Sequence, residues 1–290
     1  MKQYYRNSRG TGYLLLFSAA FFLALVTPAH SQNAKQTMYI SVLYIKTAPG
    51  MADTYDSLLN KYTKKIFDDE IKAGNFASWQ MYDVLSPSGD EYDHDKVGVS
   101  VSTKFDMVMD PPSSNKEIFA KAFPSRSESE IANVMKTYAS CRKLVRREIY
   151  TEVSSTNDDG SPTKAPAKYI QVDYMTPVAG KGDQYAKMES GTFKPVHKQR
   201  MKLGALEGWI LLQKVLPSDT DDPAPYVTVN FYKNFDGIID GKYGEAIKAA
   251  YPTSDANKLF SAIGAVKKRQ RIEIWKLTAV DSMQGELPGK

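Results

Sequence analysis

Residues 39–44 read YISVLY, and residues 169–174 read YIQVDY. The two hexapeptides begin a longer similarity, because residues 39–106 align with residues 169–236 at a constant offset of 130 positions without a gap. Of the 68 aligned pairs, 17 are identical. The chain therefore contains two related stretches of ordinary domain length, and the fold of one predicts the fold of the other.

The identities fall on residue types that shape backbones and cores. The recurring pairs are Gly50 and Gly180, Asp53 and Asp183, Tyr55 and Tyr185, Gly74 and Gly204, Trp79 and Trp209, and Pro87 and Pro217. Beyond residue 106 the register slips by a few positions, as loops permit. A last match then follows, in which Arg146-x-Glu148-Ile149-Tyr150 corresponds to Arg271-x-Glu273-Ile274-Trp275.

Each stretch predicts the element order β-α-β-β-α-β. The predicted strands of the first stretch are residues 39–46, 76–85, 97–103 and 144–153, where β-branched, aromatic or alternating residues occur. Gly50 precedes a segment with apolar residues at helical spacing, and Gly74 ends it. In the second helical region, Ser114 and Ser127 each stand three residues before a glutamate, which is the spacing of a capping box.

This element order is that of the ferredoxin-like split βαβ unit. Over residues 38 to about 280, the chain resembles the dimeric α/β-barrel superfamily in its fused, two-repeat form. The resemblance implies an α+β fold: two tandem ferredoxin-like βαββαβ repeats whose antiparallel sheets pack as an intrachain pseudo-dimeric α/β barrel. The superfamily includes cofactor-independent monooxygenases, small cyclases, haem-handling enzymes and proteins of unknown role, so the resemblance does not specify a reaction.

The composition divides the chain into five segments. We expect a signal peptide at 1–31, a first repeat at 38–153, a linker at 154–167, a second repeat at 168–280 and a C-terminal tail at 281–290. The linker is assigned from its Ser, Asp, Gly and Pro residues. The two repeats are called the first half and the second half below.

The N-terminal segment has the pattern of a secretory signal. Three basic residues precede the 13-residue apolar run Leu14–Val26, which is too short to cross a bilayer comfortably. We expect cleavage after Ser31, with Ala29 as the alternative site. The sequence therefore predicts an exported protein, periplasmic or extracellular, with no stable membrane anchor after cleavage. An uncleaved anchor is the alternative interpretation.

Removal of this segment changes the charge balance. The remaining chain has 35 basic and 33 acidic residues, so the net charge falls from +5 to +2. No basic block that would follow a phosphate backbone remains, and we expect no nucleic-acid partner. Cys141 is the single cysteine of the chain, which excludes an internal disulfide and is interpreted as a buried, inert thiol.

The two halves differ in one place that concerns chemistry. The first half has Leu59 and Phe67 where the second half has Glu189 and His197. Glu189 falls on the inward stripe of its predicted helix, where an unpaired carboxylate is costly. His197 is expected on the flank of this helix. Arg200 is expected near the inward stripe, about one helical turn beyond Val196. These three residues are either the wall of a ligand pocket, with Glu189 and His197 as an acid–base pair, or a satisfied structural pair.

Pro195 interrupts the same predicted helix. A proline ring clashes with the carbonyl four residues earlier, here that of Gly191. The sequence therefore predicts a kink that opens space between this helix and the sheet.

A second constellation lies on the last strand of each half. Alternation places three side chains of each strand on one face, and these are Arg146, Glu148 and Tyr150, and Arg271, Glu273 and Trp275. They form either a salt-bridged seam between the sheets or an arginine clamp for an anionic ligand. Trp209 is a further candidate for ligand contact, although Trp209 and Trp79 are both expected to pack a core or seam.

Histidine is scarce, and no cofactor motif is present. After loss of the signal only His94 and His197 remain. His94 is expected in a solvated acidic turn, and neither histidine is placed on a pocket-facing element. The sequence has no nucleotide loop, catalytic serine elbow or metal-ligand pair, so no cofactor and no metal site is predicted.

Two functions are compatible with these patterns. The favoured one is an exported protein that binds a small organic or anionic ligand, or a partner, through the duplicated barrel. The alternative is a cofactor-independent, monooxygenase- or cyclase-like enzyme with one acid–base site in the second half. The chain is expected to act as a monomeric pseudo-dimer or to dimerise further.

Overall fold

The structure is a computed structural model that describes residues 36–110, 112, 115–157, 167–218 and 224–282. The predicted signal peptide at 1–31 lies outside these residues. The strands of the described residues are β1 (Tyr39–Thr47), β2 (Ser78–Ser86), β3 (Lys96–Ser102), β4 (Arg142–Ser155), β5 (Tyr169–Pro177), β6 (Gly208–Leu216), β7 (Tyr226–Tyr232) and β8 (Lys267–Ser282). β4 overlaps the first two residues of the predicted linker.

The strands form one closed antiparallel barrel in the order β1-β3-β2-β8-β5-β7-β6-β4. Within each half three ladders connect neighbouring strands, and β2–β8 and β4–β6 join the halves. The two groups of strands are thus hydrogen-bonded edge to edge, which leaves no unpaired edge in the barrel. The fold is α+β with an eight-stranded antiparallel sheet, as predicted.

The helices follow the predicted places between the strands. Those of the first half are α1 (Ala52–Leu58), α2 (Lys64–Lys72), α3 (Phe105–Met109), α4 (Lys116–Ala122) and α5 (Glu128–Cys141). Those of the second half are α6 (Gly182–Met188), α7 (Lys194–Lys202), α8 (Asp236–Ile239), α9 (Tyr243–Ala250) and α10 (Ala256–Gly264). The Ser127 capping box is present at the start of α5. Ser114, where the other capping box was predicted, lies outside the described residues, and the Asn115 side chain caps α4.

Alternation along the strands separates two environments. One face of each strand points into the barrel, where apolar and aromatic side chains such as Val42, Tyr44 and Tyr174 form a continuous core. The other face packs on the helices, with separate cores in the first half, around Phe67 and Trp79, and in the second half, around Trp209. Any cavity between helix and sheet therefore belongs to one half only.

The break in the first helical region has a different cause from the one predicted. A π-helical turn separates α6 from α7 at Glu189–Phe193, two residues before Pro195. The first half has the same π-helical turn at Leu59–Thr63, where no proline follows. The irregularity therefore belongs to this region of both halves, and in the second half Pro195 is the second residue of α7.

Two further expectations concern the cysteine and the membrane. Cys141 is fully buried, as predicted, and free, and its inertness stays a prediction. Among the described residues, no helix has both the length and the apolar composition needed to cross a bilayer.

Candidate functional site

A cavity of about 460 Å³ lies between the outer face of the second-half strands and the second-half helices. Four of the residues singled out in the sequence line it: Glu189, His197, Arg200 and Trp209. Strand alternation adds Asp173 from β5, because its neighbours on either side point into the barrel. The structure thus brings together side chains that lie far apart in the sequence.

His197 is stacked on Trp209 inside this cavity. The ring centroids are 4.8 Å apart and the planes meet at 12°. Nδ1 accepts a hydrogen bond from Nη1 of Arg200 at 3.1 Å. Burial, and then the charge of Arg200, lower the pKa of His197 well below its ordinary value, so the ring is neutral near pH 7. The predicted flank position is wrong, because π-helical winding turns His197 onto the buried face.

Arg200 is completely buried and is held by neutral acceptors. Nε donates to the carbonyl of Gly241 at 2.7 Å. Besides His197, Nη1 reaches Oδ1 of Asn230 at 3.2 Å and the Tyr243 hydroxyl at 2.9 Å. Nη2 donates to the Tyr232 hydroxyl at 3.2 Å. The guanidinium is therefore fixed in position at the wall of the cavity.

Glu189 is buried and its carboxyl has an unusual affinity for its proton. Burial raises the pKa of Glu189 to about 7, against the opposing charge of Lys267. Burial likewise raises the pKa of Asp173, although Gln171 and Arg269 act in the other direction. Burial lowers the pKa of Lys267. The cavity thus contains three ionisable groups whose pKa values are shifted by burial, and Glu189 changes its protonation near neutral pH, which is a property of many functional sites.

The same place in the first half is packed instead. Leu59 and Phe67 occupy the positions of Glu189 and His197, and Phe67 stacks on Trp79 with centroids 5.2 Å apart at 12°. A cavity of about 170 Å³ remains there. The aromatic stack is thus common to both halves, whereas the larger cavity and its buried ionisable groups belong to the second half.

The second predicted constellation lies inside the barrel and is bonded to itself. Glu273 is fully buried and accepts hydrogen bonds from Tyr92, His94, Tyr174 and Trp275, with distances of 2.5 to 3.2 Å. Arg271 pairs with it through Nε at 2.8 Å. Burial alone would raise the pKa of Glu273, but the bonds from His94 and Tyr92 and the charge of Arg271 lower it to about 2.

The first-half strand repeats part of this arrangement. Tyr150 donates to Glu148 at 2.6 Å, Lys214 pairs with it at 3.0 Å, and Arg146 lies 3.5 Å from it. Both arginines thus have carboxylate partners, the arrangement of a seam. The Tyr44 hydroxyl, 3.0 Å from that of Tyr174, connects the two clusters at the centre of the barrel.

Two histidine expectations are corrected by these contacts. His94 is not in a solvated turn: it is 1% exposed, with Nδ1 2.5 Å from Asp93 and Nε2 3.2 Å from Glu273. The turn that carries His94 packs against the barrel, and the His94 ring contacts the buried carboxylate of Glu273. The expectation that no histidine faces a pocket is wrong as well, because His197 lines the second-half cavity.

Some residues of the cavity were not singled out from the sequence. Asp173 could have been found, because it replaces Leu43 at the same offset that revealed Glu189. Asn230, Tyr243 and Lys267 gave no such signal, since polar residues on strand faces and helix starts are ordinary. Across the described residues, no cluster of three or more histidine, cysteine or acidic side chains could hold a metal ion.

Comparison with known proteins identifies the fold. No protein-family profile matches the chain, and no curated protein matches it in sequence. A solved structure from Fusobacterium nucleatum subsp. nucleatum ATCC 25586, provisionally assigned as a monooxygenase, superposes with a TM-score of 0.51 at 7% identity, over 87% of this chain and 97% of its own. The chain therefore has the fold of the dimeric α/β-barrel superfamily.

Two further solved structures superpose less closely. An anthrone oxidase-like protein gives a TM-score of 0.49 at 8% identity, over 88% of this chain and 96% of its own. A haem-binding protein from Thermus thermophilus gives 0.48 at 10% identity, over 84% and 92%.

Proposed function

We propose that this protein binds a small organic ligand in the cavity of its second half. The observation that supports the proposal is the contrast between the halves. In the first half, apolar Leu59 and Phe67 leave a cavity of about 170 Å³, whereas in the second half buried Glu189, His197 and Arg200 line a cavity of about 460 Å³. A buried ionisable group costs free energy unless it is paired, and a ligand would supply the missing partner. Cavities of a few hundred Å³ with few converging polar groups are typical ligand sites.

We further propose that the two halves arose by tandem duplication and now differ in task. The constant offset of 130 positions and the equal positions of the two aromatic stacks support this interpretation. The first half then serves as the packed partner that closes the barrel, and the second half carries the site. One chain would thus act as its own pseudo-dimer.

An enzymatic role is the second candidate, and Glu189 is the observation that favours it. A general base is most effective when its pKa lies near the working pH, and the pKa of Glu189 is about 7. Glu189 could then remove a proton from a bound ligand while the neutral His197 and the Arg200 guanidinium orient it. Such a reaction needs no cofactor.

His197 does not fit a haem iron, although haem-handling enzymes occur in this superfamily. Its Nδ1 accepts from Arg200, so the hydrogen of the neutral ring is on Nε2. Iron at Nε2 would require the hydrogen on Nδ1, where it would oppose an N–H of Arg200. The proposed function therefore includes no haem held by His197.

The ligand proposal predicts the behaviour of a variant that carries first-half residues. In the double variant Glu189→Leu and His197→Phe, the second-half cavity receives the side chains of Leu59 and Phe67. We expect the wild-type protein, purified from its own host, to retain a small molecule in native mass spectrometry, and the double variant to lose it while remaining folded.

The control is Leu59→Met, a substitution of similar volume at the position in the first half that corresponds to Glu189. This variant should retain the molecule. The proposal is contradicted if the wild-type protein carries no small molecule, or if the double variant carries the same one.

We also propose that the protein works outside the cytoplasm. The proposal rests on the N-terminal pattern at 1–31, and a single buried cysteine is compatible with an oxidising compartment. Intact-mass analysis of the exported fraction should give a chain that begins after Ser31 or Ala29. A full-length chain confined to the cytoplasm would refute it.

A further inference from the structure

Arg200 is a buried cation without an anionic partner. Its exposed fraction is 0%, and its hydrogen bonds go to a backbone carbonyl, an imidazole, an amide oxygen and two phenols. Within the described residues, no carboxylate lies within salt-bridge distance of its guanidinium. Arg269 differs, since it reaches Asp173 at 3.4 Å while half exposed. The charge of Arg200 is thus stabilised by neutral dipoles and by the Tyr243 ring, whose centroid lies 4.0 Å from Cζ.

This arrangement leaves a donor unused. The two hydrogens of Nη2 have one acceptor, the Tyr232 hydroxyl, in the described part of the chain. Buried guanidinium groups are normally paired with a carboxylate or phosphate, often by two parallel bonds, because removing a lone charge from water is costly. An arginine held rigidly at a cavity wall with a free N–H is therefore prepared to receive an anion.

The net charge of the residues that line the cavity also favours an anion. They comprise the cations Arg200, Lys267 and Arg269 and the acids Asp173 and Glu189. Positive charge is in excess even if both acids are ionised. Because Glu189 is partly protonated near neutral pH, the excess is larger there. A neutral or cationic ligand would leave this charge unbalanced.

Other parts of the lining are apolar and open to solvent. Ile239 is 84% exposed and Phe260 is 42% exposed, and both line the same cavity as the buried Arg200. The stacked, planar rings of His197 and Trp209 also line this cavity. A ligand that matches this gradient has a charged end and an apolar, planar body.

We propose that the ligand is a small organic anion, a carboxylate or phenolate on an aromatic or otherwise apolar body, with its charged oxygen bonded to Arg200. This inference rests on the proposed function, because it specifies the ligand class of the same cavity. It goes beyond that function in making Arg200 the residue that determines which ligands bind.

A pair of isosteric probes tests the inference on the full chain. Naphthalene-2-carboxylate and naphthalene-2-carboxamide have the same planar body and differ in charge. A charge-assisted hydrogen bond to a buried arginine predicts that isothermal titration calorimetry will find the carboxylate bound about 10- to 100-fold more tightly. Arg200→Gln should remove this preference, and Arg200→Lys, which keeps the charge, should keep part of it.

The first half provides the control. Glu70 is the residue 130 positions before Arg200, and Glu70→Gln should leave the preference of the wild-type protein unchanged. If the wild-type protein binds both probes equally, the inference is wrong and the proposed function stands. If it binds neither probe, the inference is wrong, and the proposed function is decided by the native mass spectrometry described above. A preference that persists in folded Arg200→Gln would also overturn the role of Arg200, and if that variant does not fold, the preference must survive in Arg200→Lys.

Discussion

Glu273→Ala is expected to lower the free energy of unfolding by about 3 to 5 kcal/mol, which is a large part of the stability of an ordinary domain. The side chain is fully buried inside the barrel and receives hydrogen bonds from four side chains besides its ion pair with Arg271. Its removal leaves the buried donors of Tyr174 and Trp275 without this acceptor and leaves His94 facing a void. Urea denaturation followed by tryptophan fluorescence measures the loss.

The same carboxylate predicts an acid dependence. The pKa of Glu273 is lowered to about 2 in the folded protein, below the roughly 4.3 of an unfolded chain. A depressed pKa contributes stability that is present above the unfolded value and is lost as pH falls through the folded value. The stability of the wild-type protein should therefore decrease between about pH 4.5 and pH 2, and less so in Glu273→Gln.

Glu128→Ala is the matched control for this prediction. Glu128 is 91% exposed on the first turn of α5, and its substitution should change stability by less than about 0.5 kcal/mol. A loss below about 1 kcal/mol in Glu273→Ala would show that the interior network contributes little.

Glu189→Gln is expected to stabilise the protein above neutral pH. As pH rises from about 4.5 to about 8, the free energy of unfolding of this variant should increase by about 3 kcal/mol relative to that of the wild-type protein. The reason is that the pKa of buried Glu189 is raised from 4.5 to about 7 in the folded protein. A residue that makes the fold less stable at working pH, and whose amide relieves the cost, is typical of a functional site.

The sign follows from proton binding. Between about pH 4.3 and pH 7 the folded protein holds a proton on Glu189 that the unfolded chain has released, so the contribution of this group to stability decreases as pH rises. Urea titrations of both proteins at several pH values measure the difference, in which the effects of all other groups cancel to first order. Parallel curves for wild type and variant would contradict the raised pKa. Glu128→Gln, on the exposed face of α5, should run parallel to wild type.

The fold could be predicted because it depends on local and repeated patterns. Alternation in residues such as Val42 and Tyr44 distinguishes the barrel interior from the helix side in any strand. The offset of 130 positions doubled the evidence for each element. The closure of the barrel was implied only by the superfamily resemblance, because the β2–β8 and β4–β6 ladders join residues whose sequences do not identify each other.

The candidate site was predicted in part, and the division has a physical basis. Glu189 was found because a carboxylate at an inward position is costly, and because the first half has Leu59 at the same position. His197 was found because it replaces Phe67, and Arg200 because it lies near the same stripe. The turn that carries His94 is acidic and polar, which normally means solvent. Its burial depends on a receiving carboxylate, Glu273, that lies 179 residues away in sequence.

The sequence by itself determined the elements, their duplication and the half in which a site could lie, because backbone propensity and the cost of buried charge act residue by residue. Only the tertiary structure decided the partners of each charge. It gave Arg146 and Arg271 their carboxylates and left Arg200 with neutral acceptors. The sequence places all three arginines near an inward face. Carboxylates of the chain neutralise Arg146 and Arg271, whereas we propose that a bound anion neutralises Arg200. The sequence cannot separate these cases, because electrostatic pairing depends on distances that only the closed barrel fixes.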